Sequence, residues 1–145
     1  MPLEGEYEPS AWDFVAEQVR QYEATGGKEG GTNQGKPVII LTTRGRRSGR
    51  IRKVPLQRVE HDGRYVVVAS KGGTPEQPEW YLNLVEHPEV TLQDGERVMD
   101  FQARTATPEE RSEWWPRATA AWPDYDEYQK RTDRQIPVVI LEPAG

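Results

Sequence analysis

Short runs of β-branched and other apolar residues recur along the chain from position 37 onward, and turn-forming residues separate most of them. The runs are VIILTT, KVPLQRVE, YVVVAS, VTLQ, RVMDFQAR and PVVILE. Each has the length and composition of a short β-strand. Asp62-Gly63 and Asp94-Gly95 supply tight-turn residues between neighbouring runs, which predicts hairpins. Because strictly alternating βαβ units are absent, these six runs predict an α+β fold or a small barrel rather than a doubly wound sheet.

Helical periodicity marks the N-terminus and three later stretches. A helix is predicted over residues 11–24, with Ser10 as its N-cap and Gly26 at its end. Its apolar face consists of Trp12, Val15, Val19 and Tyr22. PEWYLNLVEHP predicts a second helix between two prolines, TPEE predicts a capping box that opens a third, and WPDYDEYQ predicts a fourth.

The segment between the first helix and the first strand, GGKEGGTNQGKP, has five glycines and no apolar residue. This composition is typical of a mobile surface linker. We therefore predict two parts, a helix with its linker over residues 1–35 and a folded domain over residues 36–145.

Composition narrows the possible chemistry. The chain has 145 residues, the size of one domain, and a net charge of -5. It has no cysteine, which excludes thiolate nucleophiles, thiolate metal sites and disulfides. The two histidines, His61 and His87, adjoin a predicted turn and a proline, so surface roles are expected and no metal site is predicted. The first ten residues lack the apolar stretch of a signal peptide, and no apolar run approaches the roughly 20 residues that span a bilayer.

Positive charge concentrates in one turn of this acidic protein. Six of the ten positions from Arg44 to Lys53 are Arg or Lys. A solvated hairpin tip would explain an ordinary charge run, but Gly45, Ser48 and Gly49 between the cations match a nest of donors for an oxyanion. Nucleic acid fits poorly, because duplex binders show a basic face over much of the domain. A small polyanion is the favoured ligand.

A second cluster lies in VVVASKGGTPEQPEWYLNL. Ser70 and Lys71 end a predicted strand beside two glycines, and Trp80, Tyr81 and Asn83 begin a predicted helix. Small residues permit close backbone approach, and aromatic side chains can cover a planar ring. The two clusters together predict a cofactor with an anionic tail and a flat heteroaromatic head, while core packing alone would also explain Trp80.

Three stretches in this order, LTTRGRRSGRIRKVPL, VVVASKGGTPEQPEWYLNL and WPRATAAWPDYDEYQKRTDRQIPVVILEP, resemble the deazaflavin-dependent nitroreductase family of actinobacteria. The resemblance runs from about Lys36 to Pro143. It implies a split β-barrel with peripheral helices, related to the flavin-mononucleotide-binding oxidases. It also implies that reduced coenzyme F-420, an 8-hydroxy-5-deazaflavin with a tail of phospholactate and glutamates, donates a hydride to a quinone, a nitro-compound or another activated electrophile.

The resemblance also carries cofactor-binding roles to individual positions. The positions that match the tail-binding part of the family motif are Arg46, Arg47 and Ser48, and the groove beyond them corresponds to Arg52, Lys53 and Pro55. The strand end that contacts the deazaflavin ring corresponds to Val68, Ala69, Ser70 and Lys71. The helix start that flanks the ring corresponds to Glu79, Trp80, Tyr81, Leu82 and Asn83.

Acceptor chemistry is expected on the fourth helix. Tyr125 and Tyr128 match acceptor-pocket positions of the family, and a protonated tyrosine can donate a hydrogen bond to a quinone or nitro oxygen at neutral pH. Ser70 is the other candidate catalytic donor. Trp80 and Trp122 complete the expected acceptor pocket, where the indole of Trp122 would narrow the range of acceptors. Packing of the last helix on the barrel is the alternative explanation of both tyrosines.

Two other activities stay open at this point, a flavin-mononucleotide-dependent oxidoreductase and a non-catalytic carrier of the deazaflavin. The predicted partner is a small-molecule electron acceptor, with no nucleic acid, and the protein is predicted to be a monomer or a homodimer. We predict a cytoplasmic location, with peripheral contact at the inner face of the membrane as the alternative to a lid role for the first helix. The lid is favoured because the polar face of that helix lacks a Lys/Arg-rich character.

Overall fold

The computed structural model describes residues 3–143. The β-strands in this part of the chain are Thr32–Asn33 (β1), Lys36–Arg44 (β2), Ile51–Gln57 (β3), Val59–His61 (β4), Arg64–Val68 (β5), Glu89–Asp94 (β6), Arg97–Thr105 (β7) and Val138–Pro143 (β8). The α-helices are Asp13–Thr25 (α1), Glu79–Glu86 (α2), Pro108–Ala121 (α3) and Asp124–Lys130 (α4), and a 3-10 turn spans Lys71–Gly73. Across residues 3–143, no helix is both long enough and apolar enough to cross a membrane.

The strands form one curled antiparallel sheet. Their order is β1-β2-β6-β7-β8-β5-β4, with β3 also paired to β2. β3 and β4 are consecutive in the chain, yet β3 pairs with β2 and β4 pairs with β5, far apart in that order. The sheet therefore curls so that the chain passes directly from one end of the order to the other. This sheet with its surrounding helices confirms the predicted α+β split β-barrel.

The chain changes its strand partner at Arg58, so the prediction of one strand through KVPLQRVE is wrong. The Arg58 amide donates to the Pro37 carbonyl (3.0 Å), and its side chain turns to Asp94, with 3.0 Å between Nε and Oδ2. β1 is the other strand beyond the six predicted ones. Its two residues are exposed and polar, so they give no apolar signal.

Both faces of the sheet are covered, which explains why several strands read as continuous apolar runs. Ile39 and Leu41 of β2 belong to the core inside the barrel, while the alternate residue Ile40 packs with α1. On β5, Val66 packs outward in a second core that contains Trp114 of α3. Alternate side chains along a strand therefore pack into cores on opposite faces of the sheet.

The first helix begins later than predicted. Ser10 Oγ accepts a hydrogen bond from the Trp12 amide (3.1 Å), but the helix begins at Asp13, so Ser10 is not its N-cap. Trp12, predicted on the apolar face, is 68% exposed, because it precedes the first helical turn and falls outside the buried stripe. Val19 and Tyr22 are buried as predicted, and the left-handed Gly26 ends the helix.

The glycine-rich segment lies on the surface as predicted and is bonded to α1 and β2, while its predicted mobility stays a prediction. β1 forms a hairpin with the start of β2. Gln18 Nε2 donates to the Gly30 carbonyl (2.9 Å), and the Val38 amide donates to the Gly31 carbonyl (3.0 Å). Gly30 has a φ of 70°, which glycine adopts at little steric cost. The division of the chain at residue 35 stays a prediction.

The capping box predicted for the third helix is present. Thr107 Oγ1 accepts a hydrogen bond from the Glu110 amide (3.3 Å), and Glu110 Oε1 accepts one from the Thr107 amide (2.9 Å). Arg104 of β7 donates to both carboxylate oxygens of Glu110 at 2.7 Å, which ties the start of α3 to the sheet. This bonding lowers the pKa of Glu110 to about 2.

Candidate cofactor and acceptor site

The basic turn between β2 and β3 is closed by its own backbone. The Gly45 amide donates to the Arg50 carbonyl (2.8 Å), and the Gly49 amide donates to the Gly45 carbonyl (2.9 Å). Ser48 Oγ accepts from the Arg50 amide (3.1 Å), and a Cβ on Gly45 would lie only 2.8 Å from that oxygen. The small residues between the cations therefore hold the turn shape, and the amides of Gly45, Gly49 and Arg50 are not donors for a ligand nest.

Arg46 is positioned by the first turns of α2. Its Nη1 donates to Glu79 Oε2 (2.7 Å) and to Asn83 Oδ1 (3.0 Å), and its amide donates to the same Asn83 oxygen (3.1 Å). Asn83 is buried, and the hydrogen bond from Arg46 lowers the pKa of Glu79. These contacts join the basic turn to the helix that carries Trp80.

The remaining cations of the turn differ in how far their charge is already paired. Three ion pairs involve carboxylates from the N-terminal part of the chain, namely Arg50–Glu6 (3.8 Å), Arg52–Glu8 (3.2 Å) and Lys53–Glu23. Arg47 is exposed, and within residues 3–143 its side chain has no hydrogen-bond or ion-pair partner. Arg47 is thus available to a ligand without loss of an existing contact.

A first cavity of about 430 Å³ opens beside the basic turn. The predicted tail-binding residues that line it are Arg46, Arg47, Ser48, Arg52 and Lys53. Thr43 lies on its wall and is 1% exposed, and among the described residues its Oγ1 is a buried polar atom without a hydrogen-bond partner. Buried polar atoms nearly always have a hydrogen-bond partner, so a ligand or a water molecule in the cavity is expected to bond to this hydroxyl.

A second cavity of about 490 Å³ adjoins the first. The predicted ring- and acceptor-contacting residues that line it are Val68, Ser70, Lys71, Glu79, Trp80, Trp122, Tyr125 and Tyr128. Pro55, predicted in the groove beyond the tail-binding residues, also lines this second cavity. Val54, Glu79 and Trp80 line both cavities. The site therefore has a cationic half and a more apolar, aromatic half that meet at Trp80.

The backbone after β5 approaches α4 closely. Lys71, Gly72 and Gly73 all have positive φ angles, of 45°, 65° and 80°. A Cβ on Gly73 would lie 2.8 Å from Tyr128 Cα, so only glycine fits there. This contact sets the spacing between the end of β5, with Ser70, and the tyrosines of α4.

Arg134 holds the same loop from the other side, and the sequence analysis missed it. Its guanidinium donates to the carbonyls of Ala69 (3.1 Å), Ser70 (2.7 Å) and Thr74 (2.8 Å), and to Gln77 Oε1 (2.9 Å). Burial lowers the pKa of Arg134. In the sequence Arg134 is one of several charged residues in KRTDR, and nothing there reveals that its partners lie about 60 residues away.

The two tyrosines of α4 lie side by side but in different surroundings. Their ring centroids are 6.2 Å apart. Tyr125 is 5% exposed, and burial, followed by the neighbouring Tyr128, raises the pKa of its phenol. Tyr128 is less buried, and its hydroxyl accepts a hydrogen bond from Trp122 Nε1 (3.3 Å). Both phenols can donate to a ligand in the second cavity.

Three predicted ring-flanking residues line neither cavity. Ala69 is fully buried, and its amide donates to the Pro137 carbonyl (2.9 Å). The Tyr81 hydroxyl is hydrogen-bonded to Thr105 Oγ1 of β7 (2.9 Å), and Leu82 lies on the same helix outside both cavities. These positions support the neighbouring residues Ser70, Trp80 and Asn83 rather than forming the cavity walls.

The chain is similar to proteins of one enzyme family. The model of the F420H(2)-dependent quinone reductase family matches residues 14–143. A relative from Mycobacterium tuberculosis that carries this family name is 38% identical over 107 residues, which are 74% of this chain and 90% of the relative.

Two solved structures share the fold at high sequence identity. An F420-H2 dependent reductase is 51% identical, with a TM-score of 0.69 over 73% of this chain and 94% of that one. A protein described as a domain-swapped dimer is 46% identical, with a TM-score of 0.72 over 87% of this chain and 92% of that one. With the residues and cavities described above, these matches show that the chain belongs to the F420H(2)-dependent quinone reductase family.

Proposed function

We propose that this protein reduces a quinone with reduced coenzyme F-420, and that the two joined cavities hold the coenzyme and the acceptor. The observation that carries the assignment of the site is the meeting of a cationic cavity and an aromatic cavity at Trp80. The family assignment confirms the predicted oxidoreductase class and the predicted cofactor. It lends no support to flavin mononucleotide as the cofactor or to a non-catalytic carrier.

The chemistry of the first cavity fits the anionic tail of the coenzyme. Arg47 and Arg52 supply guanidinium groups, Lys53 supplies an ammonium group, and the unpartnered Thr43 hydroxyl supplies a donor. Charge-assisted hydrogen bonds of this kind contribute about 1.5–3 kcal/mol each when they are shielded from water. Both cavity volumes lie within the range of roughly 300–1,000 Å³ that small-ligand sites show.

The second cavity fits the flat ring of the coenzyme with an acceptor beside it. Val54, Val68 and Trp80 offer apolar surface, and Ser70 offers a hydroxyl near the end of β5. When bound, reduced F-420 supplies the hydride. The protein's part is to hold the ring and the acceptor together and to exclude water.

Tyr125 and Tyr128 are proposed as donors to the acceptor. The raised pKa keeps the Tyr125 phenol protonated, so that it can donate a hydrogen bond to a quinone oxygen on which negative charge develops. The Trp122 Nε1 hydrogen bond leaves the Tyr128 proton free to point at the ligand. Nitro-compounds remain a predicted second class of acceptor, and Trp122 on the cavity wall is proposed to narrow their range.

Access to a lipid-borne quinone is proposed through the exposed start of α1. Trp12 and Phe14 are 68% and 71% exposed, and Trp12 lines the second cavity. An exposed aromatic pair at a cavity mouth favours transient contact with an apolar phase. The proposed location is cytoplasmic with peripheral membrane contact, and co-sedimentation with quinone-loaded vesicles tests that contact.

We propose that the protein forms a homodimer as well as a monomer. The similar structure described as a domain-swapped dimer supports this possibility. Sedimentation analysis across a concentration series separates monomer from dimer.

The proposed function is tested by titration of the purified protein with oxidised F-420 and, separately, with flavin mononucleotide, followed by coenzyme fluorescence. We expect saturable binding of F-420 alone, and oxidation of reduced F-420 when a soluble menaquinone analogue is added. Binding of flavin mononucleotide alone, or binding of F-420 without quinone reduction, contradicts the proposal.

A further inference from the structure

An acidic segment of the chain lies along the basic turn. Residues 4–8, here called the acidic strap, form a parallel bridge with the start of β3. The Glu8 amide donates to the Ile51 carbonyl (2.9 Å), and the Ile51 amide donates to the Glu6 carbonyl (2.7 Å). The strap is therefore held by its backbone in a defined register.

A hydrogen bond from a side chain to the strap backbone anchors the other end of the strap. Arg44 Nη2 donates to the Glu4 carbonyl (2.9 Å), and Arg44 Nη1 donates to the Gly49 carbonyl of the basic turn (2.8 Å). The strap and the turn are thus joined independently of the glutamate side chains.

This register aligns alternate carboxylates with alternate cations. Glu6 faces Arg50 (3.8 Å), and Glu8 faces Arg52 (3.2 Å). Side chains two residues apart point to the same side of an extended chain, so the match follows from the pairing around Ile51. The strap therefore places successive carboxylates against Arg50 and Arg52, as a chain of glutamates bound there would do.

The strap also takes part in the wall of the first cavity. Glu8 and Arg52 both line it, and each side chain is 38% exposed. An anion that approaches Arg52 therefore meets the Glu8 carboxylate and must compete with it. Arg47, which has no such partner among the described residues, carries no comparable cost.

We propose that the acidic strap is an internal competitor for the anionic tail of the coenzyme, and that it limits how many tail glutamates add to affinity. The inference rests on the proposed function, which places that tail in the first cavity. Its physical basis is that Glu6 and Glu8 neutralise two of the cations and repel further carboxylates.

The test compares two forms of F-420, one with a single tail glutamate and one with several, in binding titrations at low salt. The variant is Glu6→Gln with Glu8→Gln, which keeps side-chain shape and the backbone bonds of the strap. We expect its Kd for the long-tailed coenzyme to fall by about threefold to tenfold, as the loss of two exposed ion pairs allows, and its Kd for the short-tailed coenzyme to change less.

The matched control is Glu86→Gln with Glu109→Gln, two exposed positions outside the strap. It makes the same change in net charge, but within residues 3–143 neither carboxylate takes part in an ion pair. An equal gain in the control, or equal Kd changes for both tails, overturns the inference while the proposed function stands. If the wild type binds neither coenzyme, the proposed function fails and the inference falls with it.

Discussion

At the scale of single residues, neighbouring side chains of one type differ because their partners differ. The side chain of Arg46 is 13% exposed and bonded to Glu79 and Asn83, whereas Arg47 is exposed and has no hydrogen-bond or ion-pair partner within the described chain. Adjacent arginines in a basic turn look equivalent in the sequence. The contacts tie Arg46 to the structure of the site and leave Arg47 available to a ligand.

We predict that Arg47→Ala weakens F-420 binding by about tenfold to 100-fold, the usual loss for a charge-assisted hydrogen bond, with little change in stability. Arg46→Ala is expected to weaken binding as well and to lower the free energy of unfolding by about 1–3 kcal/mol, because it leaves Asn83 Oδ1 with one donor fewer. Fluorescence titration and urea unfolding measure the two effects. Unchanged binding in Arg47→Ala would exclude a clamp at this residue.

The tyrosines of α4 carry the second prediction at this scale. Tyr125→Phe and Tyr128→Phe are expected to lower kcat/KM for a quinone by about tenfold to 100-fold and to leave the Kd for F-420 within about twofold. Because burial raises the pKa of Tyr125 above 10.0, its ionisation should cause no loss of activity below that pH.

Tyr81→Phe is the matched control for the tyrosine variants, since it removes a phenolic hydroxyl that is bonded to Thr105 outside both cavities. A parallel loss of F-420 affinity in the Tyr125 and Tyr128 variants would show that these residues hold the ring or the fold instead.

At the scale of elements, the site depends on the loop between β5 and α2, which packs against α4 on one side and is bonded to a distant arginine on the other. The segment from Ala69 to Gln77 passes from β5 towards α2, and one guanidinium, from Arg134, donates to four of its acceptors. The planar guanidinium of arginine can donate to several fixed acceptors at once, whereas lysine has one compact ammonium group on a flexible side chain. The loop therefore has its shape only when the segment before β8 is in place.

We predict that Arg134→Ala raises the Kd for F-420 by about tenfold and speeds amide exchange of residues 70–77, because buried carbonyls lose their donor. Arg134→Lys should restore only part of both effects. Hydrogen exchange locates the change, and the exposed Arg131, which donates to Gly72 in the same loop at 3.3 Å, gives a milder comparison as Arg131→Ala. Normal exchange in the loop of Arg134→Ala would contradict a positioning role.

At the scale of the whole molecule, α1 is joined to the barrel rather than appended to it. The Tyr22 hydroxyl accepts a hydrogen bond from the Gly95 amide (2.8 Å) and donates to the Val38 carbonyl (3.1 Å). Val15 and Gln18 of the same helix line the first and the second cavity. The N-terminal part therefore contributes both to stability and to the site.

We predict that Tyr22→Phe lowers the free energy of unfolding by about 1–3 kcal/mol, because the Gly95 amide loses its acceptor, and that unfolding stays a single transition. Tyr7→Phe is the control, as Tyr7 is 38% exposed and its hydroxyl has no hydrogen bond within residues 3–143. Denaturant unfolding followed by tryptophan fluorescence measures both. An unchanged free energy in Tyr22→Phe would favour an independent N-terminal part.

Local patterns in the chain predict much of the fold and the chemical character of the site. Runs of β-branched residues, Asp-Gly turns and the capping box at Thr107 follow from short-range sterics and hydrogen bonding, so each can be read from a few neighbouring residues. The cations from Arg44 to Lys53 likewise predict that one turn binds an anion. The prediction that residues around Ser70 and Trp80 contact a planar ring depends only on a strand end and a helix start, and the sequence indicates both.

Only the tertiary structure decides which of these residues act together. The switch of strand partner at Arg58, the four bonds of Arg134 and the register of Glu6 and Glu8 against Arg50 and Arg52 join residues far apart in the chain. Such contacts depend on how the curled sheet brings distant segments together, and no local periodicity reports them. By itself the sequence therefore determined most of the strands, the Asp-Gly turns and the kind of ligand, because these depend on neighbouring residues. The tertiary structure decided which cations are already paired and which remain for the ligand, because pairing depends on distance in space.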